Sequence, residues 1–136
     1  QVNIVTKFCE PATHLIANSY GAYLWLLSRI DAEPADTQVL LLSPVMGRAI
    51  DPEKMLSSRP PRLRGLENAI TEGRIILPQQ VRITTGRDDE VCTYQTAVAH
   101  CARLGIGDLS IIENEGHNMS HALVSKTVMD FLTGAK

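Results

Sequence analysis

No stretch of the 136 residues approaches the ~18 consecutive apolar residues that a membrane span requires, so a spanning segment is not expected. Charge of either sign is also scarce in excess. Thirteen Lys and Arg stand against 15 Asp and Glu, for a formal net charge of −2, and the pI is near 6.1. The cations are scattered, which leaves no long-range field to gather nucleic acid or an anionic lipid surface. Cysteine is sparse and odd in number. Cys9, Cys92 and Cys101 include no C-x-x-C pair, which argues against a disulfide framework and a structural zinc site and favours reduced, mostly buried thiols. A glycine-rich phosphate turn is missing as well: Asn18-Ser19-Tyr20-Gly21 offers one glycine where a dinucleotide-binding turn needs several. The first residues carry no basic region followed by an apolar stretch and a small-residue cleavage site, so the expected setting is the cytoplasm.

What is present is ordinary for a globular domain, with 44% hydrophobic and 21% charged residues, and the length fits a single domain over 1–136. Val2, Val5, Phe8 and Cys9 are spaced as a helical face, which predicts a short helix over 1–10. Residues 13–18 then read as a strand and 19–30 as a helix apolar nearly all round, hence buried. Val39 to Ser43 is a continuous apolar run of strand length, as in parallel strands covered on both faces. From about 47 to 80 the composition shifts into a short helical insertion. There Asp51-Pro52 opens one short helix, Pro60-Pro61 interrupts, and Leu63, Leu66, Ala69 and Ile70 mark a second helix ending at Gly73. Val81 to Thr85 is a third strand. Glu90 to Leu104 is a helix expected to bury Val91, Tyr94, Val98, Cys101 and Ala102, with Gly105 as its stop. Leu109 to Ile112 is a fourth strand, and Ser120 to Leu132 a closing helix on Leu123, Val124, Val128 and Phe131. Alternation of strand and helix predicts an α/β fold: a parallel sheet of about four strands flanked by helices, with right-handed crossovers and its site at the carboxyl ends of the strands.

Three polar side chains fall at those ends. Ser19 follows the first strand in a turn reading Ala17-x-Ser19-x-Gly21, close to the G-x-S-x-G pattern that pushes a hydroxyl out above a sheet. Asp88 and Asp89 follow Gly86 after the third strand, and His117 follows Gly116 after the fourth. A hydroxyl becomes a useful nucleophile when an imidazole can take its proton and a carboxylate fixes the imidazole's tautomer. The competing reading of Ser19 is a helix cap whose hydroxyl satisfies free N–H groups. For His117 the rival is a metal site shared with His121, but no Glu follows His117 as a zinc hydrolase needs, and no metal is expected. His14 and His100 read as ordinary strand-end and helix-surface residues.

With the motifs N-S-Y-G-A, G-R-D-D-E-V and E-G-H-N in the order Ser, Asp, His, the chain from about Pro11 to Leu132 resembles the α/β-hydrolase superfamily. The resemblance implies that Ser19 is the nucleophile, His117 the base and then the acid, and Asp89, three residues after the glycine, the orienting carboxylate. Asp88 is then solvated or caps the next helix. It implies no cofactor and an acyl-enzyme route on a small ester, thioester or related acyl substrate. The N–H of Tyr20 becomes an oxyanion donor, and Met46, Leu56 and Met119 are expected substrate-wall residues. The superfamily places several strands and a second oxyanion donor before the elbow, whereas only about a dozen residues precede the elbow strand here. The expectation is the second half of such a fold. The strand at 13–18 then becomes an edge that pairs with another copy, another chain or further residues, making a homo-oligomer one expected outcome. The alternative from another class is a non-catalytic remnant serving as a binding or oligomerisation module.

Overall fold

A computed structural model describes residues 2–9, 12–48 and 60–135. In chain order the elements are α1 (Val2–Cys9), β1 (His14–Asn18), α2 (Tyr20–Ser28), β2 (Gln38–Leu42), α3 (Leu63–Thr71), β3 (Val81–Gly86), α4 (Tyr94–Leu104), β4 (Asp108–Ile112) and α5 (His121–Thr133). The four strands form one sheet in the order β1-β2-β3-β4, and every neighbouring pair is parallel. The expected helix opening at Asp51-Pro52 lies outside the described residues.

Strand β2 shows why its sequence is apolar at consecutive positions. Val39 and Leu41 face a large cluster with Ala22, Trp25, Leu26, Leu66, Ile83 and Cys101, while Leu40 and Leu42 face a smaller one closed by Phe131. Both faces of the strand are therefore covered: α1 to α4 contribute to the first cluster, and α5 lies on the second face. Helix α2 supplies the main buried mass, with Ala22, Tyr23 and Leu26 wholly inaccessible. The one polar group among these three is satisfied, because Tyr23 Oη donates to the carbonyl of Pro61 at 2.6 Å. Burial pushes that phenol up to about 12, so it stays a donor.

Two helices depart from the sequence reading. Helix α4 begins at Tyr94 rather than Glu90, capped by the Thr93 hydroxyl, which accepts from Thr96 N. Residues 89–92 are instead held in a turn by Asp89. Its buried side is Ala97, His100 and Cys101, whereas Val98 is 42% exposed and Ala102 is exposed. The helix packs on α3 and the main cluster through 97, 100 and 101, so its buried stripe lies about one residue round the helix from the expected one. His100, expected on the surface, is buried: Nδ1 faces the carbonyl of Thr96 and Nε2 faces Glu67 of α3, both at 2.9 Å. In α5 only Phe131 is fully buried; Leu123, Val124 and Val128 are half-covered.

Strand β1 is at the sheet edge, with Leu15 and Ala17 turned toward the main cluster. His14, Ile16 and Asn18 occupy its other face and are exposed, Ile16 to 41%.

Candidate active site

Ser19 sits between β1 and α2 at φ 51, ψ −120, a positive-φ backbone that side-chain-bearing residues rarely adopt. Three backbone hydrogen bonds tie this region together. Ser19 N donates to Leu42 O at 2.9 Å, Val45 N to Ser19 O at 3.2 Å, and Ser43 N to Thr84 O at 2.9 Å, so the turn is anchored to the ends of β2 and β3. The hydroxyl makes no cap hydrogen bond to α2, which removes the capping reading. Its Oγ lies 2.8 Å from Nε2 of His117. Gly21, the last member of the elbow pattern, meets nothing within 4 Å where a Cβ would stand, so the described packing does not require glycine there.

On the far side of the ring, Nδ1 lies 2.9 Å from Asp89 Oδ2 and 3.1 Å from Oδ1. The Asp89 side chain is wholly inaccessible and that of His117 is 10% exposed. Asp89 Oδ1 also accepts the N–H groups of Val91 and Cys92, both at 2.8 Å. A buried carboxylate is costly without such partners, and these donors keep it aimed at the ring. With Asp89 accepting from Nδ1–H, the remaining lone pair on Nε2 faces the serine, the tautomer a general base needs. Asp88 is exposed and the structure brings Asp89 to the ring instead.

The loops carrying the acid and the imidazole are stitched together. Asp88 N donates to Glu115 O at 3.0 Å and Arg87 N to Ile112 O at 2.9 Å, and Arg87 pairs with Glu113. A Cβ on Gly86 would stand 2.0 Å from Glu115 O, so only glycine permits that crossing. Two further contacts carried no signal in the sequence. Glu90 Oε2 accepts the backbone N–H of His117 at 3.1 Å, and Glu115 accepts from both N and Oγ of Ser120 at the start of α5. Those bonds from Ser120 hold the Glu115 carboxyl below its ordinary value.

The remaining expected residues fall in different settings. Tyr20 is the first residue of α2, where backbone N–H groups have no partner within the helix; its ring stacks on Tyr23. Met46 is wholly buried in the main cluster, so touching a substrate would require it to move. Met119 is half-buried against Leu40, Leu42 and Phe131. Leu56 lies outside the described residues. Cys92 and Cys101 are buried and unpaired, and burial pushes both thiols up. Among the described residues no group of His, Cys, Asp and Glu is arranged to hold a metal, and no helix is long and apolar enough to cross a membrane.

A parallel sheet between helices, with Ser, Asp and His on the loops beyond three strand ends, defines an α/β fold with its site at the carboxyl edge. Solved structures make the class specific: the chain carries part of the α/β-hydrolase fold. It is similar to an α/β-hydrolase fold protein from Burkholderia ambifaria, at a TM-score of 0.70 and 17% identity over 96% of this chain and 71% of that one. A monoacylglycerol lipase from Paleococcus ferrophilus gives 0.66 and 15%, over 97% and 72%. The 2-hydroxy-6-oxo-6-phenylhexa-2,4-dienoate hydrolase from Rhodococcus gives 0.59 and 16%, and the chain, 93% covered, spans 66% of that enzyme. No family model and no curated protein matches the sequence.

Proposed function

We propose that the chain is a serine hydrolase acting on a small ester, thioester or related acyl bond through an acyl-enzyme. The observation that carries this reading is the unbroken line of hydrogen-bond contacts from Ser19 Oγ to His117 Nε2 at 2.8 Å and from His117 Nδ1 to Asp89 Oδ2 at 2.9 Å. Residues remote in sequence seldom align this way for packing alone, because a strained turn and a buried carboxylate both cost stability. As Oγ attacks the acyl carbon, its proton passes to Nε2; the imidazolium, held by Asp89, then delivers that proton to the leaving group. Water repeats the sequence on the acyl-enzyme. The N–H of Tyr20 is the oxyanion donor this chain supplies. The reaction needs side chains and water, with no cofactor, and the buried free thiols suit a reducing, cytoplasmic setting.

One observation favours a second reading, a binding or oligomerisation module: β1 is an edge strand with Ile16 41% exposed, and such edges attract partner strands. A fluorophosphonate probe separates the two. Stoichiometric labelling of the folded protein, lost in Ser19→Ala and His117→Ala, supports the hydrolase; folded protein that does not label supports the module. A panel of p-nitrophenyl esters of increasing acyl length then measures the substrate pocket.

A further inference from the structure

We infer that Glu90 is a positioning residue for His117, fixing the backbone of the base while its neighbour Asp89 fixes the ring; this rests on the hydrolase reading. Glu90 Oε2 accepts His117 N–H at 3.1 Å. A Cβ on Gly116 would stand 2.9 Å from that same oxygen, so the carboxylate lies directly over the Gly116–His117 peptide. Consecutive residues of one turn thus hold the ring and the main chain of one residue.

The turn that presents them is rigid, because Asp89 Oδ1 binds the N–H groups of Val91 and Cys92 within it. A single contact at Nδ1 fixes a distance but leaves the ring free to swing with its loop. A second contact at the main chain, several ångströms away along the same residue, removes that swing. The gap from Nε2 to Ser19 Oγ, 2.8 Å, then follows from groups at 89–92 rather than from the 113–117 loop alone. A misplacement of about 1 Å in a reacting group costs on the order of 10²-fold in rate.

What Glu90 supplies is acceptance of a hydrogen bond, which a glutamine amide oxygen also provides. The test compares the wild-type chain with Glu90→Ala and Glu90→Gln by p-nitrophenyl acetate kinetics, thermal melting, and the Nδ1–H resonance of His117 in protein labelled with ¹⁵N-histidine. The expected result is that E90A lowers kcat by about 10- to 100-fold with KM within about twofold. Its Nδ1–H resonance broadens or disappears, and E90Q restores both. Three results overturn the inference: E90A with kcat within about twofold and an unchanged resonance, E90A with a lowered melting temperature but intact kcat, or E90Q as impaired as E90A. If the wild-type chain neither labels nor turns over, the hydrolase reading fails, and the ring resonance still decides what Glu90 does.

Discussion

Replacing Asp89 by Asn removes one charge and no atoms of consequence to packing, yet the contacts around it dictate a large loss of rate. Val91 N–H and Cys92 N–H both point at Oδ1 at 2.8 Å, so the amide oxygen of Asn must remain there; the opposite flip sets an NH₂ against two donors. The NH₂ group then takes the place of Oδ2, 2.9 Å from Nδ1 of His117, while the retained oxygen, 3.1 Å from Nδ1, already accepts two N–H groups. Two donors cannot face each other, so the ring gives up Nδ1–H and carries its proton on Nε2, directed at Ser19 Oγ. The base is lost while the geometry survives. A wrong tautomer of this kind costs about 10⁴ in kcat, roughly 5 kcal/mol at 1.36 kcal/mol per tenfold. Asp89→Ala is a poorer experiment, because it also orphans two buried N–H groups at about 1–3 kcal/mol each and confounds rate with folding. The assay is turnover of p-nitrophenyl acetate and the second-order rate of fluorophosphonate labelling, with circular dichroism as the control for folding. D89N within about tenfold of the wild-type rate, with the fold intact, refutes the tautomer argument.

Ser19→Gly should be more stable than Ser19→Ala by about 1–2 kcal/mol in urea denaturation, because both lose the hydroxyl and only glycine relaxes a backbone at φ 51; the usual order, alanine above glycine, would contradict a strained elbow. Gly86→Ala should destabilise by on the order of 1–3 kcal/mol and slow turnover, since its Cβ would meet backbone atoms of Glu115 that must move and carry His117 with them; an unchanged melt and rate would place the two loops further apart. Burial raises the Glu67 carboxyl, but bonds from Arg103 and His100 outweigh it and hold the group below its ordinary value of 4.5. A depressed folded value contributes stability above 4.5 that is lost as pH falls. The wild-type melting temperature should therefore drop more steeply than that of Glu67→Gln on acidification below that pH, and parallel curves would refute it.

Strand and helix order was legible because the signals are local and strong. Val39 to Leu42 is apolar without a break since both faces are covered, and Gly105 ends α4 in the left-handed conformation. The sequence reading starts α4 at Glu90, with Asp88 solvated or capping it, whereas the bonds from Val91 N and Cys92 N to Asp89 keep 89–92 out of the helix and the Thr93 hydroxyl caps it, contacts set by the tertiary site. The same limit hid His100. A histidine on a helix reads as surface until the helix bearing Glu67 is packed against it, and that packing is tertiary. Ser19, Asp89 and His117 were recognisable by order and by their place after strands. Glu90 was not, since one acid within Asp88-Asp89-Glu90 differs from its neighbours only by the direction its side chain takes.

The lengths of the site loops follow from the strand order. Ser19 lies beyond β1 and His117 belongs to the loop after β4, three strand spacings away, which is about 14 Å at about 4.8 Å per strand. Ile112 ends β4, and the chain turns at Asn114, which has φ 59, so the loop and the lengths of the His117 and Ser19 side chains share that reach. After that turn it crosses the end of β3, which lies between β4 and β2. The residue at the crossing is Gly86, the last of β3, and its missing side chain is the space that Glu115 O occupies. Once the loop passes so low over β3, the next residues of the β3 loop lie beside it, which is how Asp89 meets the ring and Glu90 the backbone N–H. The glycine, the carboxylate three residues later and the histidine of the next loop thus meet through one crossing.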